Sequence, residues 1–149
     1  MDGWRLPNTL PVNGSTYNYD YSYDGSTDYG FNMSAPGTIY AGSKGSEMAY
    51  LYYNDLGNAA GGPLARGPFT NLPSYFYWSG TEKTSDPDLA WTFVIGDGCQ
   101  NLDVKVGVNY YALAVHSGDV GAPVPIPGAI LLFASGLAGL VAVRRRFKK

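Results

Sequence analysis

Residues 75–106, "YFYWSGTEKTSDPDLAWTFVIGDGCQNLDVKV", decide how this chain folds. The runs YFYWS, AWTFVI and QNLDVKV are short, rich in aromatic and β-branched residues, and place apolar side chains two apart, which is the period of a strand with one buried face. Asp97 and Gly98 stand between the second and third runs as a hairpin signal, because glycine accepts the positive φ that a tight reversal needs. TSDPDL, between the first and second, reads as a polar turn. A fourth run, YYALAVH at 110–116, has the same character. Trp91, Phe93 and Ile95, then Leu102, Val104 and Val106, then Tyr111, Leu113 and Val115 are expected to line one face. The expectation is an antiparallel β meander of four runs.

Upstream, GSKGSEMAYLYYNDLGN predicts the main helix. Ser46 can cap it, Glu47 in the first turn complements the helix dipole, and Gly57 stands where a left-handed stop is wanted. Met48, Leu51, Tyr52 and Leu56 recur at the spacing of one buried face. A helix against an antiparallel sheet is an α+β arrangement, here with long loops at 13–37 and 59–74 that are rich in Gly, Pro, Asn and Ser. Trp4, Trp78 and Trp91 are expected as core anchors.

Charge is distributed unevenly. Ahead of residue 123 there are five basic residues (Arg5, Lys44, Arg66, Lys83, Lys105) against all 12 acidic ones, a balance of seven negative charges, and the other five positives close the chain. An acidic domain without clustered Lys or Arg does not suit nucleic acid. Cys99 is the one cysteine and His116 the one histidine. An intrachain disulfide is therefore excluded, a Cys/His metal centre lacks ligands, and Cys99 reads as a semi-buried strand residue with no basic neighbour to activate it. The sequence implies no cofactor.

The loop YNYDYSYDGSTDYG carries two candidate arrays. Tyr17, Tyr19, Tyr21 and Tyr23 alternate with polar residues, so an extended chain would set four rings on one side as a platform for sugar rings. The competing reading has the loop packing its tyrosines onto its own domain. Asp20, Asp24 and Asp28 recur every fourth residue and invite a calcium reading, but an EF-hand needs ligands at alternate positions and a glutamate at the twelfth. Solvated loop carboxylates are the expectation. Asp86, Asp88 and Asp97 could serve as a glycosidase acid and base only if folding brings two of them together. No nucleophile elbow or phosphate-binding glycine loop is present, so no catalytic residue is assigned.

The end of the chain, VPIPGAILLFASGLAGLVAVRRRFKK, has no charged residue from Gly128 to Val143, and then Arg144, Arg145, Arg146, Lys148 and Lys149 follow. At 1.5 Å per residue the uncharged stretch makes a helix about 24 Å long, somewhat short of a hydrocarbon core of about 30 Å. Snorkelling of the first arginines makes up part of the difference, and the basic cluster is expected to stay cytoplasmic. Because its apolar residues cover all sides, a transmembrane helix is expected at 128–143 rather than a core helix.

Several of these segments together resemble a known bacterial family. DGWRLPN at 2–8, GSEMAYLYYNDLGN at 45–58, YFYWSGTE at 75–82, LAWTFVIGDGCQ at 89–100 and YYALAVHSGD at 110–119 are similar to the wording of the Lcl C-terminal domain family. The resemblance implies a C-type-lectin-like fold and a surface module for polysaccharide, sulfated in some members. Where the family ends its last strand with arginine, this chain has His116. The tail resembles the PEP-CTERM sorting signal in a VPxP form, with Val124, Pro125, Ile126 and Pro127 as its motif. That resemblance implies cleavage near the motif by an exosortase-type transpeptidase in a Gram-negative bacterium that makes exopolysaccharide. Since MDGWRLPNTLPV is no export signal and such sorting needs one, the chain is expected to lack its natural N-terminus.

The resulting layout is a binding domain at 1–119, a proline-rich linker and sorting motif at 120–127, a transmembrane helix at 128–143 and a basic tail at 144–149. The expected function is a non-enzymatic cell-surface or matrix protein, held transiently at the inner membrane. Its expected partners are the membrane, the sorting enzyme and extracellular polysaccharide. A carbohydrate-acting hydrolase and a purely structural matrix component are the alternatives.

Overall fold

The computed structural model of the chain describes residues 3–116. It is mostly sheet with one short helix, the α+β arrangement expected. The proline motif, the apolar stretch and the basic cluster lie outside the described residues. Among the described residues no helix is long and apolar enough to cross a membrane.

Three long strands form the centre: β4 (Phe76–Lys83), β5 (Asp86–Val94) and β6 (Gln100–Val104). They pair antiparallel in the expected order, Tyr77 opposite Phe93 and Trp91 opposite Leu102. β5 is longer than its apolar run, because the pairing of Lys83 with Asp86 continues the ladder through TSDPDL and leaves only Thr84 and Ser85 to turn. The β5–β6 turn has Gly98 at φ +87° and is closed by bonds from Gly98 N to Val94 O (2.8 Å) and from Cys99 N to Asp97 Oδ1 (2.9 Å).

The fourth run does not complete the meander. It breaks into β7 (Tyr111–Ala112), which pairs parallel with β4, and β8 (Val115–His116), which pairs with β1 (Trp4–Arg5) in a separate two-stranded sheet. The reason lies in the edges. β4 and β6 fill both sides of β5, and the free side of β6 is taken by β3 (Tyr29–Gly30), itself paired with β2 (Tyr21–Ser22). Of the three central strands only β4 keeps an open edge, and the chain leaving β6 crosses over to reach it. Val104, the last residue of β6, and Val106, on the departing segment, both expected on the buried face, are exposed, Val106 at 82%.

The core lies on the sheet face that carries Phe93, Ile95 and Tyr77, against Met48, Ala49, Tyr52 and Tyr53 of the helix. The helix starts as expected, with Ser46 Oγ accepting from Ala49 N. After one turn (Glu47–Tyr50) it widens into a π-helical turn, Leu51–Asp55, in which Leu56 N donates to Leu51 O. The buried stripe therefore takes in Ala49 and Tyr53, whereas Leu51 is only half-buried and lines a cleft. Gly57 at φ +65° ends the helix.

The segments at the start of the chain and before the helix act together as scaffold. Arg5 donates to both carboxylate oxygens of Glu47 (2.6 and 2.7 Å), and Asn8 N also donates to Glu47 (2.6 Å). Ser46 Oγ bonds Gln100 Oε1, while Gln100 Nε2 donates to Asp28 O (2.6 Å). Ser46, Gln100 and Asp28 are all buried, so this chain of bonds satisfies polar groups that water cannot reach. Of the three tryptophans, Trp91 is fully buried and Trp78 half-buried. Trp4 is 62% exposed, packed edge-on against His116 at 5.2 Å. It is not a core anchor, because β1 lies in the small second sheet.

Candidate functional site

Short polar side chains fix the tyrosine-rich loop. Asn13 Oδ1 accepts from the amides of Ser15 (2.8 Å) and Thr16 (3.1 Å), a turn that asparagine forms readily. The Asp28 carboxylate grips both ends of the next segment, accepting from Val12 N (2.7 Å) and Asn18 N (2.8 Å). Asn18 in turn accepts from Asp20 N (3.0 Å), and Asp24 accepts from Ser26 N (3.1 Å) and Ser26 Oγ (2.6 Å).

These turns split the four tyrosines into two pairs. Tyr17 and Tyr19 lie on the buried indole of Trp91, with centroids 5.6 and 5.8 Å away, Tyr19 nearly parallel to it. The Tyr17 hydroxyl donates to Thr9 O (2.7 Å), and Lys83 Nζ stands 5.3 Å from the centre of the Tyr19 ring. Burial raises the Tyr17 phenol above its ordinary pKa, with Tyr19 adding to the effect. This pair packs onto its own domain. The four-ring platform is thus corrected, because Tyr17 and Tyr19 pack on Trp91 whereas Tyr21 and Tyr23 pack with Tyr29 and Phe31.

Tyr21 and Tyr23 remain at the surface. Tyr21 meets Tyr23 and Tyr29 edge-on, both at 5.1 Å, and its hydroxyl contacts Cys99 Sγ at 3.7 Å. Tyr23 stacks on Phe31 (5.9 Å, 16° between planes) and is 72% exposed. Beside it is a shallow depression of about 210 Å³ lined by Tyr23, Phe31, Asn32, Ala60 and Gly61. Asn32 Nδ2 donates to Tyr23 O (2.7 Å), which holds the ring's backbone in place. Tyr23 thus offers a flat, supported ring to solvent next to an amide.

The three loop aspartates do not converge. Asp20 and Asp24 are exposed, but Asp28 is buried and is spent on the loop's own amides. Burial raises its pKa, and the two backbone N–H groups pull the other way. No cluster of three or more His, Cys, Asp and Glu side chains able to hold a metal occurs among the described residues. Asp86 and Asp88 sit at the start of β5, whereas Asp97 lies beyond its far end. The six strand steps from Asp88 to Val94 alone span about 20 Å, too far for Asp97 to pair with either in glycoside hydrolysis. Cys99 is buried, not half-buried, and burial raises its thiol pKa.

A second aromatic group was not legible as a site. Tyr75, Phe76, Trp78, Tyr110 and Tyr111 gather at the other edge of the sheet, where Tyr110 stacks on Phe76 at 4.7 Å and lies 4.9 Å from Trp78. The signal was present in YFYW, since aromatic residues at consecutive strand positions must occupy both faces. Pattern reading assigns only one of those faces to the core. No protein-family model, curated protein or solved structure matches the chain.

Proposed function

We propose that this chain is an exported, non-catalytic surface or matrix protein whose lectin-like domain, of the Lcl C-terminal kind, binds extracellular polysaccharide. Its C-terminal segment acts as a PEP-CTERM-type sorting signal: a transmembrane helix at 128–143, stopped by the basic cluster, and a cleavage motif at 124–127 read by an exosortase-type enzyme. The observation that carries the binding reading is the Tyr23 ring, 72% exposed, stacked on Phe31 and bordered by Asn32 in a shallow depression. A rigid aromatic face beside polar groups suits the apolar face and hydroxyl rim of a sugar, and a ring already fixed by its neighbours loses little freedom on binding.

The test is titration of the full chain with the host's own exopolysaccharide. Tyr23→Ala is expected to weaken binding at least tenfold without shifting the melting temperature, and an unchanged affinity would refute the assignment of Tyr23. Sorting is checked by mass spectrometry of the surface form. A C-terminus between 125 and 128 is expected, and recovery of the intact RRRFKK end would overturn it.

A further inference from the structure

We propose that the cleft walled by Tyr75, Tyr110 and Tyr111 is a second sugar subsite, selective for neutral pyranose residues, so that one domain engages polysaccharide at both edges of its sheet. The inference rests on the polysaccharide reading above and names a place and a ligand class which that reading does not.

The cleft encloses about 410 Å³ and is lined by Pro73, Ser74, Tyr75, Asn109, Tyr110 and Tyr111. Its walls are fixed from behind. Tyr110 is backed by Phe76 and Trp78, and Tyr111 by Tyr77 at 5.4 Å, whose own hydroxyl donates to Pro73 O (3.1 Å). Tyr75 stands nearly perpendicular to both Tyr110 (76°) and Tyr111 (87°), with centroids about 6 Å apart. The rings form a corner: one can take the C–H face of a pyranose while the hydroxyls of the others, with Asn109 and Ser74, reach its rim. Tyr75 and Tyr111 are each about half exposed, 47% and 48%, so the corner is open to a polymer.

Charge selects the class. The lining contains no Asp, Glu, Lys, Arg or His side chain, so the wall offers rings, hydroxyls and one amide but no cation to pair with an anionic sugar. Four of the five cations among residues 3–116 are engaged elsewhere: Arg5 with Glu47, Lys105 with Glu82, Lys83 over Tyr19 and Lys44 over Tyr50; the fifth, Arg66, donates from Nε to Leu72 O (2.9 Å), near the cleft but not part of its lining. The cleft and the Tyr23 surface lie at β7 and β2, the outermost strands of the six-stranded sheet. Five inter-strand steps separate them by about 24 Å, a span over which one polymer can occupy both sites or two polymers can be bridged.

The experiment follows the tyrosine ring signals of the unsubstituted full chain by NMR. The titrants are neutral hexasaccharides of glucose, mannose and galactose, with a heparin hexasaccharide as the anionic arm. At least one neutral oligosaccharide is expected to move the signals of Tyr75, Tyr110 and Tyr111, and to keep doing so in Tyr23→Ala. In Tyr75→Ala/Tyr111→Ala its affinity for this cleft is expected to fall at least tenfold. If that double variant fails to fold, the signals of the unsubstituted chain decide. Movement of the Tyr21 and Tyr23 signals alone overturns the second subsite and leaves the polysaccharide reading standing. Movement at the cleft with heparin only overturns the neutral class, and no movement anywhere with these sugars or the host's own exopolysaccharide overturns both.

Discussion

Glu47 shows how much of a residue's role the sequence conceals. Its place in the first helical turn was readable, but its main partner is Arg5, 42 residues away. The Arg5 side-chain hydrogen bond is the largest cause holding the Glu47 carboxyl below its ordinary value of 4.5, and burial opposes it. A depressed native pKa contributes stability that is complete above the unfolded value and is lost as pH falls through the native one. Asp28, raised from 3.8 by burial, has the opposite sign: its contribution is complete below that value and is lost as pH rises through the native one. Glu47→Gln is therefore expected to flatten the acid limb of a stability–pH curve measured by urea denaturation. Near neutral pH it should lower stability by about 1–2 kcal/mol, modest because the pair is about one-third exposed. Cys99 gives a second readout at this scale. Buried and with its thiolate disfavoured, it is expected to react with a disulfide reagent at least about 100-fold more slowly in the folded chain than in urea. Equal rates would show that the β5–β6 turn does not shield it.

The elements divide by how local their causes are. β5, β6 and the turn between them were legible because period-two alternation and a glycine turn act over a few residues. The turn's detail was not. Gly98 lies so close to the helix that an added Cβ would stand 2.5 Å from Tyr53 Oη and 2.6 Å from Tyr52 Cε1, at a φ of +87° that other residues rarely adopt. Gly98→Ala is expected to cost about 2–4 kcal/mol, read as a lower urea midpoint, whereas Gly14→Ala, with a positive φ but open space around it, should cost about 1 kcal/mol. Equal losses would mean that backbone conformation alone, and not the helix contact, sets the demand for glycine. The fourth apolar run was misread because its alternation is real while its partner is not its neighbour in sequence. That the free side of β6 is taken depends on β2 and β3, strands of two residues each inside a loop rich in turn residues, too short to be read as strands from the sequence.

For the whole molecule, the acidic balance ahead of residue 123 disfavours nucleic acid, which needs clustered Lys and Arg, and selects no particular ligand. Binding of a neutral glycan by stacking and uncharged hydrogen bonds is expected to change less than twofold between 50 mM and 500 mM salt, because screening acts on charges. A slope of one or more decades in isothermal titration would instead indicate an ionic polymer. The sequence by itself determined the class of the fold, the central hairpin, the helix start at Ser46 and the acidic character of the domain, since composition, capping and alternation are set by near neighbours in the chain. Only the tertiary structure decided that Tyr17 and Tyr19 lie on Trp91 while Tyr23 faces solvent, that Asp28 is buried in its own loop, and that Tyr75, Tyr110 and Tyr111 meet in one cleft. Those outcomes rest on contacts between residues far apart in sequence, and burial, which separates a packed ring from a presented one, is a property of the assembled sheet.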